Sequence, residues 1–196
     1  MVFGIVVEGE YDSAVYSTLI RQIRPGVDKV LPITCGGVVR LQQKFVGWLK
    51  HFQWHPDYNY KVGKVLVVRD SDCRDSQAVE EELDDILSQS GFQKSLKLPV
   101  HFHATKCMVE TLLLADESAV NAVARQRGRS RPSAQSVRDP LEGTVNAKGL
   151  FQRMLSQAQL PADLAVYAEV AAAADIERIK ERCPNFRRFI ECVHAC

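Results

Sequence analysis

Long apolar runs are absent from this sequence. The apolar stretches around 111–115 and 171–174 are far short of the roughly 20 residues that cross a bilayer. No basic segment precedes an apolar one at the start of the chain, so we expect no signal peptide and a cytoplasmic protein. An excess of one charge is also missing, because 25 Lys and Arg residues face 24 Asp and Glu residues for a net charge of +1. Binding of nucleic acid therefore requires a local basic patch.

Closely spaced cysteine pairs are missing as well. The sequence has 6 cysteines but no Cys-x-x-Cys, and in a chain without an export signal we expect reduced thiols. A zinc cluster of Cys183, Cys192, His194 and Cys196 is the alternative, but its first spacing is longer than the ligand pairs of structural zinc sites. The simpler interpretation is that these are buried or tail cysteines.

The first two thirds of the chain alternate apolar runs with amphipathic segments, which is typical of a parallel sheet covered by helices. We predict strands at 2–7, 29–34, 64–68 and 100–104, and helices at 11–24, 38–52, 76–90 and 109–124. Periodicity is lost over 125–146, which we interpret as a mobile loop, and 147–196 is helical in pattern. We expect one domain in which the last helices pack back onto the sheet.

Acidic residues gather directly after the predicted strands. Glu8 and Asp12 follow the first strand, Asp70 and Asp72 the third, and Glu110 the fourth. Because sites in open parallel sheets form at the carboxyl ends of strands, these carboxylates predict a Mg²⁺ or Mn²⁺ site. Two alternatives stay open: Asp12 as a helix cap, and Glu110 as an acid favoured by a helix dipole.

Two sets of residues resemble known families. Glu8-Gly9 with Asp12, followed by Asp70-x-Asp72 after an apolar strand, resembles the Toprim fold of topoisomerases, primases and OLD-type nucleases. Segments 107–116, 147–149 and 183–189 resemble a Toprim-related bacterial family of unknown function, often encoded beside an ABC/AAA-type ATPase. The likeness implies a Toprim-like, Rossmann-type α/β core at 1–124, an arginine-rich loop at 125–146 and a C-terminal helical extension at 147–196.

The resemblance also implies roles for individual residues. Glu8 would bind metal or act in general acid/base catalysis, and Lys148 would stabilise phosphate charge, unless it is a plain surface lysine. Met108 stands where OLD-type nucleases usually have serine, which bears on a second metal. One or two Mg²⁺ or Mn²⁺ ions would be held by Glu8, Asp12, Asp70, Asp72 and Glu110.

A basic stretch lies between Glu117 and Asp139, where no acidic residue occurs. Arginines on a Gly- and Ser-rich segment are suited to phosphate contacts without base readout. The alternative is a solvated, disordered loop. The candidate nucleic-acid ligands are Arg125, Arg127, Arg129, Arg131 and Arg138.

The leading hypothesis is a Mg²⁺-dependent nuclease that hydrolyses DNA or RNA, in a defence or mobile-element system with an ATPase partner. The alternative is a Toprim-like binding module that senses nucleic acid or a ligand and regulates that ATPase without catalysis. A HAD-type phosphatase fits less well, because its Asp-x-Asp follows the first strand, whereas here the pair follows the third. A receiver-type switch would not need Glu8, Asp12 and Glu110 together.

Overall fold

Four parallel strands form the centre of the computed structural model, which describes residues 1–58, 61–130 and 132–195. Their order across the sheet is β2-β1-β3-β4. The strands are β1 (Val2–Val7), β2 (Lys29–Thr34), β3 (Val62–Asp70) and β4 (Val100–Thr105). The helices are α1 (Glu10–Ile23), α2 (Val38–Trp54), α3 (Ser76–Gln89), α4 (Val109–Leu113), α5 (Glu117–Gln126), α6 (Ala147–Gln157), α7 (Leu164–Ala173), α8 (Ile176–Arg182) and α9 (Phe186–His194), with a 3₁₀ turn at Phe92–Ser95.

The predicted parallel sheet flanked by helices is confirmed, with element ends shifted by one or two residues at most positions. The central strands β1 and β3 are apolar along most of their length because helices cover both of their faces. On one face Phe3 and Leu66 belong to a core shared with α1, α7 and α9. On the other face Val65 and Val67 belong to a core shared with α2 and α3. The chain thus forms a three-layer α/β unit.

The helix predicted over 109–124 is interrupted. The structure has two helices here, α4 and α5, with a break at Asp116. The Asp116 carboxylate accepts hydrogen bonds from the backbone N–H groups of Ser118 and Ala119, and so caps the start of α5. The sequence predicted one helix because the apolar periodicity continues through both α4 and α5, past the N-cap residue Asp116.

The segment between α5 and α6 has no regular secondary structure among its described residues, but the rest of the fold holds it in place. The Asn121 side chain bonds both the N–H and the carbonyl of Ala134, at 2.9 and 3.1 Å. Arg182 in α8 donates to the carbonyl of Val137 and pairs with Asp139 at 3.2 Å. Beyond this segment, α7 packs against α1 and α5.

Reduced thiols throughout the chain were the wrong expectation, because a disulfide joins Cys73 and Cys107. These cysteines follow the neighbouring strands β3 and β4, so the sheet brings together residues that are 34 apart in sequence. Cys183 and Cys192 are free and donate to different carbonyls, those of Thr111 and Phe102, while Cys196 lies outside the described residues. No described helix is both long and apolar enough to cross a membrane.

Candidate metal centre

The carboxyl edge of the sheet brings Glu8 and Asp70 together. Glu8 directly follows β1 and Asp70 ends β3, which is the neighbour of β1 in the sheet. The Asp70 N–H donates a hydrogen bond of 3.2 Å to Glu8 Oε1. The sequence argument that parallel strand ends meet at one edge therefore applies to this pair.

Asp12 caps the first helix from inside the site. Gly9 is the N-cap of α1, and its N–H donates to Asp12 Oδ2 at 2.8 Å. The backbone carbonyl of Glu8 accepts from the N–H groups of Gly36 and Gly37, at 2.7 and 3.0 Å, which fixes the turn after β1. Asp12 thus has the helix-capping role that the sequence left open. The cap uses one of its two carboxylate oxygens, Oδ2.

Glu110 reaches the same edge from the start of α4. It is buried, and the Tyr167 hydroxyl of α7 donates to Glu110 Oε1 at 3.3 Å. The Tyr167 ring meets the edge of the Tyr11 ring, with centroids 4.5 Å apart. The hydrogen bond from Tyr167 therefore orients the Glu110 carboxylate, although the two residues are 57 positions apart in the sequence.

These carboxylates line one pocket of about 390 Å³. Among its described lining residues Lys148, in the first turn of α6, is the one basic side chain. The other predicted site residues of the lining are Glu8, Asp12, Asp70 and Glu110, and the wall is completed by Gly9, Tyr11, Gly36, Gly37, Met108 and Val109.

Asp72 is not part of the pocket lining. The chain leaves the sheet after Asp70 in a turn where Asp72 has a φ of 50° and Cys73 a φ of 62°, and the Asp72 side chain is exposed. Its N–H donates to the carbonyl of Cys107 at 3.0 Å. The negative charge of Asp72 still raises the pKa of Glu8 and Asp70.

The electrostatics of the pocket are those of crowded carboxylates. Burial raises the pKa of Asp70 well above its ordinary value, and the charges of Asp12, Glu8 and Glu110 raise it further. Burial also raises the pKa of Asp12 to about 7, although the Gly9 N–H opposes the shift. Burial raises the pKa of Glu8 against the lowering effect of its bond from Asp70 N–H. A cation at the pocket would relieve this repulsion.

The donor set fits Mg²⁺ or Mn²⁺ in chemistry but is not a preformed cage. In the described parts of the chain, no group of three or more His, Cys, Asp or Glu side chains stands close enough to hold a metal ion. Mg²⁺ commonly keeps several waters and is bound by one or two carboxylates together with substrate phosphates. The adjacent Glu8 and Asp70, with Asp12 and Glu110 around the same pocket, match that mode.

The predicted arginine ligands are distributed over two elements, and none of those described lines the pocket. Arg125 lies in the last turn of α5, and Arg127 is paired with Glu169 of α7 through two bonds of 2.7 Å. Arg129 and Arg138 are exposed, and Arg131 lies outside the described residues.

Sequence reasoning missed Arg69, which precedes Asp70 in β3. Arg69 is buried, with its Nε 3.9 Å from Glu8 Oε1 and its Nη1 3.1 Å from Glu82. It therefore favours the charged form of Glu8. The sequence did contain a signal for Arg69, because a charged residue at the end of an apolar strand must find a charged partner if it is buried.

No protein-family model matches the sequence, and no curated protein matches it. Among solved structures, the C-terminal region of the OLD protein of Xanthomonas campestris pv. campestris aligns with a TM-score of 0.46 and 12% identity, over 99% of this chain and 98% of that one. The C-terminal region of the Burkholderia pseudomallei OLD protein aligns with a TM-score of 0.40 and 15% identity, over 96% and 98%. Because these values are low, we infer the activity from the pocket and not from these proteins.

Proposed function

We propose that this chain is a Mg²⁺- or Mn²⁺-dependent phosphodiesterase that hydrolyses DNA or RNA. The observation that supports this most directly is that carboxylates from different elements, Glu8, Asp12, Asp70 and Glu110, line one pocket together with Lys148. Carboxylate crowding of this kind favours a divalent cation, and a lysine beside it favours a phosphate.

Glu8 and Asp70 would hold the metal, with Asp12 and Glu110 available for a second ion. When bound, such ions supply an activated water and stabilise the charge on the phosphate oxygens. Asp70 contributes its backbone N–H as well as its carboxylate, because that N–H orients Glu8. Tyr167 fixes the Glu110 carboxylate in the same way.

Lys148 and Arg69 have different roles in this proposal. Lys148 is exposed in the pocket wall, where its ammonium group can pair with a non-bridging phosphate oxygen. Arg69 is buried, lies beside Glu8 and is bonded to Glu82, so in this proposal its charge opposes the rise in the pKa of Glu8 and it does not contact substrate.

The test is hydrolysis of single- and double-stranded DNA and RNA with and without Mg²⁺ or Mn²⁺. We expect activity that EDTA abolishes and that falls about a hundredfold or more in Glu8→Gln and Asp70→Asn, since each removes a charged metal ligand. Glu10→Gln is the matched control, because Glu10 is exposed two residues away and does not line the pocket. Full activity in both pocket variants would contradict the proposal.

The second candidate function is a binding module that senses nucleic acid or a ligand without catalysis. The lack of a preformed group of three metal-binding side chains among the described residues favours it. Titration calorimetry separates the two functions: Mg²⁺ or Mn²⁺ binding that is lost in Asp70→Asn supports the enzyme. No metal affinity even with an oligonucleotide present supports the module.

An ATPase partner belongs to the same proposal. Its support is the resemblance of segments 107–116, 147–149 and 183–189 to a family often encoded beside an ABC/AAA-type ATPase, which also favours a role in defence or in a mobile element. Copurification of the full chain with such an ATPase tests the partnership, and stimulation of the hydrolysis by the partner would show that the activity is latent without it.

A further inference from the structure

One face of α2 combines exposed basic side chains with the half-buried rings of Trp48 and His51, and it leads away from the carboxylate pocket. Its residues recur three and four positions apart, so they lie along one side of the helix. We call this face the α2 stripe, formed by Arg40, Gln43, Lys44, Gly47, Trp48 and His51.

The cations of the α2 stripe are not compensated by acidic neighbours. No Asp or Glu occurs between residues 29 and 56. Arg40 and Lys44 are exposed, and within the described ranges no acidic side chain forms an ion pair with either of them. In contrast, Arg127 of the arginine-rich segment is already paired with Glu169.

The stripe begins at the pocket itself. Gly36 and Gly37 line the carboxylate pocket, and their N–H groups hold the Glu8 carbonyl. Helix α2 starts at the next residue, and Arg40 Nη1 lies 3.2 Å from the point that a Cβ on Gly36 would occupy. The Arg40 guanidinium is therefore at the rim of the pocket, one turn before Lys44.

A groove of about 440 Å³ continues the stripe, lined by Gln43, Lys44, Gly47, Trp48 and His51. The Trp48 and His51 rings meet edge to face with centroids 5.5 Å apart. Gly47 stands in the middle of the helix, where glycine is unfavourable, yet a Cβ there would meet nothing within 4 Å. Packing does not require this glycine, and its missing side chain leaves the groove beside Trp48 open.

We propose that the α2 stripe binds a single-stranded polynucleotide and guides it into the carboxylate pocket, an inference that rests on the proposed phosphodiesterase function. Arg40 and Lys44 contact successive phosphates, and Trp48 stacks on an unpaired base. A cationic track combined with an aromatic platform is the usual means of holding single strands without sequence preference. Charge complementarity also fits, because a strand held by these cations can place a phosphodiester at the carboxylates and their metal.

The test is fluorescence anisotropy with labelled 12-nucleotide oligo-dT and oligo-U, in EDTA so that no cleavage occurs. The double variant Arg40→Gln/Lys44→Gln should bind about tenfold more weakly at 50 mM salt, and the slope of log K against log salt should fall by about 1.4, for two lost phosphate contacts. Lys29→Gln/Lys94→Gln is the matched control, because both lysines are exposed near the amino ends of strands, at the opposite edge of the sheet. The two oligonucleotides distinguish DNA from RNA as the source of the strand.

Two further measurements separate a binding role from a structural one. Gly47→Gln should weaken binding at least about fivefold by filling the groove, while it raises the melting temperature, because glutamine is the better helix former. Trp48 and Trp54 are the 2 tryptophans of the chain, so a Trp54→Phe background isolates the Trp48 emission. Oligonucleotide should quench that emission, as stacking requires.

Several outcomes would overturn the inference. One is equal loss of binding in the control and the α2 variants, and another is loss in Arg125→Gln/Arg129→Gln with the α2 variants unaffected. Metal-dependent hydrolysis of a small aryl phosphodiester by a protein that binds no oligonucleotide would overturn this inference and leave the proposed function standing. Oligonucleotide binding at the stripe without hydrolysis of any diester would overturn the proposed function alone.

Discussion

Replacing Asp12 with asparagine should stabilise the metal-free protein at alkaline pH. Asp12 is half-buried, and burial raises its pKa from 3.8 to about 7. Each pKa unit corresponds to about 1.4 kcal/mol, so ionised Asp12 costs the fold at most about 4 kcal/mol above pH 7. The asparagine side-chain oxygen can still accept the hydrogen bond from the Gly9 N–H. That bond is weaker by about 1 kcal/mol, because its acceptor is no longer charged. Because the carboxyl groups of the pocket are coupled and the wild-type protein can retain part of the proton that Asp12 would lose, we expect a net gain of about 2 kcal/mol.

The sign of the pH dependence follows from the raised pKa. A carboxyl group whose pKa is higher in the folded state contributes stability that is present below about pH 4 and is lost as the pH rises to about 7. The wild-type protein should therefore lose stability across this window in EDTA, and the Asp12→Asn variant should lose less. Mg²⁺ should restore wild-type stability at pH 8, by about 1.4 kcal/mol at ten times the dissociation constant.

Urea and thermal unfolding from pH 4 to pH 8 in EDTA measure these differences. At pH 8 the melting temperature of Asp12→Asn should exceed that of the wild type by about 4–8 °C, given 2–4 °C per kcal/mol for a chain of this size. Asp85→Asn is the control, because Asp85 is an exposed carboxylate of α3. Equal pH slopes for wild type and Asp12→Asn, or a less stable variant at pH 8, would refute the reasoning.

Three other predictions concern different parts of the molecule. Reducing the Cys73–Cys107 disulfide, which closes a 34-residue separation, should lower the free energy of unfolding by about 3–4 kcal/mol in urea titrations, and the double alanine variant should match the reduced protein. Lys148→Met should slow hydrolysis while calorimetric Mg²⁺ affinity stays within about threefold of wild type, since its proposed partner is the phosphate. Arg182→Ala should speed thermolysin cleavage between 127 and 146 about five- to thirtyfold. The variant loses the hydrogen bond from Arg182 to the carbonyl of Val137 and with it a local stabilisation of about 1–2 kcal/mol. An unchanged cleavage rate would mean that other contacts hold the segment.

The sheet and its acidic edge were predictable because each follows from short-range pattern. Apolar runs separated by amphipathic segments determine a parallel sheet, and Glu8 and Asp70 then meet because β1 and β3 are neighbours whose ends share an edge. Asp72 was not predictable in the same way. Its position depends on a turn with two positive φ angles and on a disulfide between loops, neither of which the local pattern encodes.

The support around Glu110 was also beyond sequence reasoning. Its hydrogen bond from Tyr167 joins residues 57 positions apart, and α4 stands as a separate helix because Asp116 caps the one that follows. In the sequence Tyr167 is one aromatic residue in an alanine-rich apolar helix. Only the packing of α7 on α1 makes it a partner of the acidic edge.

Charge read along the chain indicates where cations are, but not whether they are already paired. The segment 125–138 was predicted to bind nucleic acid because it contains the most arginines. In the structure, however, Arg127 is paired with Glu169, and none of the described arginines of this segment lines the pocket. The acid-free stretch from 29 to 56 has fewer cations, and two of them, Arg40 and Lys44, are exposed on the helix that starts at the pocket. Under the proposed function a phosphodiester would be held by cations beside the pocket carboxylates, so the proximity of a cation to the pocket would matter more than the number of cations. The net charge of +1 is therefore compatible with a nucleic-acid substrate, because a sum over the whole chain does not show that carboxylates line the pocket while Arg40 and Lys44 are exposed on the helix beside it.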